Sequence, residues 1–95
     1  MEKSARRVAS AHDLGDCISA VRVAAGLRQQ EAAALCGVSA TFLNGLELGK
    51  RPKAQFDAIL RVCQGLGIAI ELEPPEPLPD DAPTSLKRGR RKLLL

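Results

Sequence analysis

Apolar positions along this chain recur at helical spacing as far as residue 67 and then switch to simple alternation. Leu14, Cys17, Ile18, Val21 and Ala25 follow one face of a first helix. Ser10, with Asp13 three residues later, predicts a capping-box start in which an aspartate stands where glutamate is usual, and Gly26 predicts the stop. A second helix is predicted over about Gln29 to Cys36, with Ala32, Ala33 and Cys36 as its buried side. Residues that small let another helix come close. Ser39 predicts the N-cap of a third helix, from about Ala40 to Leu48, in which Leu43 and Leu46 point inward while Thr41, Asn44 and Gly45 face out. Pro52 suits the loop or first turn ahead of a fourth helix. Its apolar stripe is Phe56, Ile59, Leu60, Cys63 and Leu66, with Gly65 and Gly67 as terminators.

From Ile68 to Glu73 the period changes: Ile68, Ile70 and Leu72 fall on one side of an alternating run. This predicts one strand with no partner in its own chain. Two edges of unpaired backbone groups are unstable, so pairing with the same strand of a second subunit is expected. An extended connector lying over the helices is the other reading. Beyond it, Pro74, Pro75, Pro77, Pro79 and Pro83 stand among acids and small residues, which predicts a stiff, disordered linker. The expected organisation is a flexible N-terminus at 1–9, a helical domain at 10–67, a dimerisation strand at 68–73, and an acidic linker with a basic tail at 74–95.

Composition narrows this further. The chain has neither Trp nor Tyr, and its only aromatic residues are Phe42 and Phe56, so the core must be built from Leu, Ile, Val, Ala and Cys. Such a core is marginal in 95 residues, and subunit pairing is a common remedy. The net charge of +3 permits a nucleic-acid partner. Residues 1–70 are mildly basic, 71–81 carry acids alone, and 82–95 carry bases alone. Cys17, Cys36 and Cys63 are an odd number with no CxxC, which argues against a disulfide framework or a structural metal site. They read as small buried hydrophobes in a reducing cytosol. With no signal peptide and no long apolar run, a soluble, cytoplasmic protein without membrane association is expected. His12 is the only histidine and has no catalytic partner nearby in sequence, so neither catalysis nor a cofactor is expected.

The order of Gln29 to Pro52 carries the functional signal. Two short helices flank Cys36-Gly37-Val38-Ser39, and Gly49-Lys50-Arg51 closes the unit, which reads as a DNA-binding helix-turn-helix. A recognition helix enters the major groove by its first residues, which puts Ser39, Ala40, Thr41 and Asn44 at base edges. Asn44 can pair with adenine through donor and acceptor together, and Ala40 can touch a thymine methyl. Phe42 is either a core residue or a contact at the DNA. Gln29 and Gln30 open the second helix, whose free N–H groups can face a phosphate. Lys50, Arg51, Arg28 and Arg22 are further phosphate candidates. Gly45 costs a short helix roughly 1 kcal/mol relative to alanine.

Gly26-Leu27-Arg28-Gln29-Gln30-Glu31, Gly37-Val38-Ser39, Phe42-Leu43, Leu46-Glu47 and Gly49-Lys50-Arg51-Pro52 together resemble the lambda-repressor-like (XRE) helix-turn-helix family over about residues 13–67. The resemblance implies an all-α domain of four helices. It also implies that Gln29 contacts the DNA backbone, that Glu47 holds the turn together, and that Ala40, Thr41 and Asn44 face bases. The chain departs from the pattern at Arg28, where threonine is usual, at Leu48, where asparagine is frequent, and at Gly45, where a long polar side chain is common. Four helices, one strand and a tail further resemble the HipB-type antitoxin branch. That narrower resemblance implies a homodimer whose strands pair, with a double-stranded DNA operator and a HipA-like serine/threonine kinase toxin as partners. The alternatives are a stand-alone regulator without a toxin, and a partner-inhibiting module with weak DNA binding. At the C-terminal tip, Arg88-Gly89-Arg90 resembles an AT-hook core. Leu93-Leu94-Leu95 offers a docking segment, and a tail without fixed contacts is the remaining reading.

Overall fold

The computed structural model describes residues 5–75. They form four helices: α1 (Ala11–Ala24), α2 (Gln29–Cys36), α3 (Ala40–Glu47) and α4 (Phe56–Leu66). The sequence signals set most of these limits. The Ser10 hydroxyl accepts from the Asp13 N–H at 3.1 Å, and Asp13 Oδ2 accepts in return from the N–H of Ala9, one residue before the cap. Ser39 caps α3 by accepting from the Phe42 N–H at 3.0 Å. Gly26, Gly37, Gly49 and Gly67 take left-handed φ values of 73–75° where the chain leaves a helix, a conformation that L side chains adopt at a cost.

Ile18, Ala32, Ala33, Cys36, Leu43, Leu46 and Val62 form the core, with Cys63 buried beside them. All three cysteines are free thiols, and burial pushes those of Cys36 and Cys63 above the ordinary thiol range. Because so little of this core is large, the helices come together on backbone proximity. Gly15 of α1 is buried against α3: a Cβ there would lie 2.3 Å from the Leu46 carbonyl oxygen and 2.6 Å from that of Glu47. Gly65 does the same for α4 and α2, where a Cβ would lie 2.6 Å from Cys36 Sγ. Gly65 is therefore an interior contact residue of α4, and Gly67 alone ends that helix. The expected stripe on α4 also shifts. Phe56, the first residue of the helix, is 61% exposed because the stripe runs past the end of the core, while Val62 is fully buried.

Ile68–Glu73 forms no strand among the described residues. A strand needs a second backbone to bond, and residues 5–75 supply none in this region. Ile68 is tied to the helix before it: its N–H donates to the Cys63 carbonyl at 2.8 Å and its side chain packs on the core. Ile70 and Leu72 remain exposed. The linker beyond Pro75 and the basic tail lie outside the described residues, as do residues 1–4. Among the described residues no helix is long and apolar enough to cross a membrane.

Candidate nucleic-acid interface

The turn between α2 and α3 is built from the inside. Gly37 leaves α2 in the left-handed conformation, the Val38 N–H donates back to the Ala33 carbonyl at 3.0 Å, and Val38 packs on the core. Ser39 then starts α3. Leu43 and Leu46, at most 2% exposed, fix the rotation of α3, and that rotation presents Thr41 and Asn44 to solvent. Of the other expected base readers, Ala40 is half-buried and packs on the core, and the Ser39 hydroxyl is engaged as the cap. Phe42 is likewise half-buried against the core.

Behind α3 lies a network of polar groups. Glu47, 8% exposed, accepts from Arg22 Nε at 2.7 Å and from Arg22 Nη2 at 3.0 Å, a two-pronged ion pair that joins α1 to α3. Arg22 also donates through Nη1 to the Leu27 carbonyl at 2.8 Å. Burial pushes the Glu47 carboxyl up, but hydrogen bonds from Arg22 and Gln29 outweigh it and hold the group below the ordinary carboxylate range. The hydrogen bond to Glu47 raises Arg22 in turn. The sequence offers Arg22 as a phosphate contact; its guanidinium is instead committed inside the domain. Part of the signal for this is present in the sequence. Glu47 is the only acid between Glu31 and Asp57, it follows an inward leucine, and Arg22 is the only lysine or arginine between Arg7 and Arg28. A buried acid requires a base, but Lys50 and Arg51 stand nearer to Glu47 in sequence, so the choice of Arg22 appears only in the fold.

Gln29 links this network to the surface. Its Nε2 donates to Glu47 Oε1 and to Asn44 Oδ1, both at 3.1 Å. Asn44 is thereby held from behind, with its amide nitrogen and the second lone pair of its oxygen available for an outside partner. Gln30, Arg28, Lys50 and Arg51 are exposed around the same unit. Arg28 supplies no side-chain cap to α2; its backbone N–H donates to Glu31 Oε1 at 2.8 Å. The Arg51 guanidinium stands over the Phe42 ring, 5.0 Å from its centroid, an arrangement that no sequence spacing suggested.

Residues 13–74 match the family model described as a helix-turn-helix domain. The chain belongs to this helix-turn-helix family. It is also similar to an uncharacterized HTH-type transcriptional regulator, y4mF, of Sinorhizobium fredii (strain NBRC 101917 / NGR234). The two are 39% identical over 71 residues, which cover 75% of this chain and 92% of that protein. In a helix-turn-helix the second helix is the one that enters the major groove, and α3 holds that place in the order here, after α2 and the turn at Gly37.

Proposed function

We propose that this protein is a sequence-specific, DNA-binding transcriptional repressor. The observation that carries the reading is the held Asn44: an exposed amide on the recognition helix, fixed by Gln29 and the buried Glu47, beside an exposed Thr41. A pre-positioned amide of this kind suits recognition of a base edge. Membership of the helix-turn-helix family and the likeness to an HTH-type transcriptional regulator support it. The backbone N–H groups of Gln29 and Gln30 and the Arg28 side chain at the start of α2, with Lys50 after α3, serve the phosphate backbone. The protein works as a homodimer, with Ile70 and Leu72, exposed in the single chain, pairing across the two-fold axis. Its finer role is that of antitoxin to a HipA-type kinase encoded in the same operon, on the resemblance of four helices followed by an alternating segment. The reading includes no enzymatic activity. The likeness to a protein described only as a transcriptional regulator favours a stand-alone regulator as the second reading.

Footprinting on the protein's own promoter at low salt tests the DNA role. Two protected half-sites about one helical turn apart are expected, and no protected palindrome would count against it. Lys50→Ala should weaken binding to all sequences alike and make the salt dependence of log K shallower by about one per half-site. Purification of the protein with its neighbouring gene product separates the antitoxin from the stand-alone regulator: a co-purifying kinase supports the first, and a solitary dimer supports the second.

A further inference from the structure

Gly45 and Phe42 stand one turn apart on the recognition helix, and the side chain of Arg51 lies across both. A Cβ at Gly45 would be 3.1 Å from Arg51 Cγ and 3.3 Å from Cδ, so the bare glycine is the groove in which the arginine stem rests. The guanidinium carbon then sits 5.0 Å from the Phe42 ring centroid. Arg51 thus runs backward along α3, from the loop toward the helix N-terminus, the end that a recognition helix turns to the bases. A cation over an aromatic face is attracted to it and keeps its in-plane N–H groups open. Among the described residues Arg51 enters no salt bridge. A glycine inside a short helix is otherwise a cost, and here it makes room for a long polar side chain supplied from outside the helix.

We infer that Arg51 is a specificity-determining residue that reads a guanine edge in the major groove, held in place by Phe42 and Gly45. This rests on the DNA-binding reading above and changes the part Arg51 plays in it. Its position in a basic loop predicts a phosphate contact, whereas its cradle aims it at the base-reading end of α3. The planar fork of arginine matches O6 and N7 of guanine, and a side chain already held in place loses less freedom on binding.

In vitro selection from a randomised double-stranded DNA library, followed by affinity measurement across salt, tests this with the full chain. The wild type should enrich a palindrome with one strongly preferred guanine per half-site. Arg51→Lys keeps the charge and removes the fork. It should relax that single preference by roughly tenfold, with the other positions and the salt slope unchanged. Gly45→Leu, whose side chain fills the groove that the glycine leaves, should displace the stem and relax the same position. A wild-type palindrome whose pattern Arg51→Lys leaves intact overturns the assignment. So does an Arg51→Ala variant that loses affinity equally for all sequences, with a salt slope shallower by about one per half-site, because that is how a phosphate contact behaves. If Arg51→Lys relaxes the position and Gly45→Leu does not, the cradle is refuted. A wild type that enriches no sequence removes the DNA reading itself, a distinct result.

Discussion

Glu47→Ala is expected to destabilise the domain by about 3–5 kcal/mol, the usual cost of leaving one partner of a buried ion pair alone. The Arg22 and Glu47 side chains are 14% and 5% exposed, so water replaces the lost carboxylate around Arg22 only in part. Among the described residues Arg22 would keep only its bond to the Leu27 carbonyl. Domains of this size have about 5–15 kcal/mol in total, so much of the population should unfold at moderate urea, and urea denaturation followed by circular dichroism reads this directly. Replacing both residues with apolar ones of similar size should cost much less, because no buried charge is then left without its partner. A Glu47→Ala midpoint within experimental error of the wild type would refute this account of α1 and α3.

The same pair sets an acid limit. The Glu47 carboxyl is held below its ordinary range in the folded state. Its contribution is therefore fully present above the unfolded carboxylate value of about 4.3, and it is lost as pH falls through the lower folded value. Stability measured against pH should decline in that acid window. In Glu47→Gln the same window should be flatter, since no proton is taken up at this site on unfolding.

Gly15→Ala is the second large effect. A methyl group there would lie 2.3 Å and 2.6 Å from two backbone carbonyl oxygens of α3, and neither can rotate away as a side chain end can. Overpacking costs typically about 1–3 kcal/mol, and a clash with backbone belongs at or above the upper end. For a domain under 100 residues that is a fall in Tm of more than about 10 °C. Alanine favours helix over glycine by up to about 1 kcal/mol, so propensity alone predicts the opposite sign. A Gly15→Ala variant that melts at or above the wild-type temperature would show that α1 and α3 do not approach as described.

The contrast between those two signs marks what the sequence could convey. Caps and stops were legible because Ser10, Ser39, Gly26, Gly37 and Gly67 act on their immediate neighbours. Leu43 and Leu46 were legible because helical period states a direction. Gly15 and Gly65 were not, since a glycine inside a helix gives no apolar signal, and its use appears only when a second helix arrives. Phe56 was misplaced for a related reason: period gives the face of α4 but not where the core stops along it. The expected strand at Ile68–Glu73 depends on a backbone that one chain does not supply. In the interface, Thr41 and Asn44 followed from position on α3. The attachment of Asn44 to Gln29, and of Arg51 to Phe42, joins residues 15 and 9 positions apart across a turn, where local pattern carries no information.

Arg22, Glu47, Gln29 and Asn44 form an unbroken series of hydrogen bonds from the interior to the outer face of the recognition helix. Under the role proposed above, selection for new operators would not be confined to the surface. A substitution at Arg22 or Glu47 that the fold tolerates would alter the hold on the Asn44 amide. A genetic screen for changed operator choice should therefore return interior variants among its winners, carrying altered preference at the base pair that Asn44 reads.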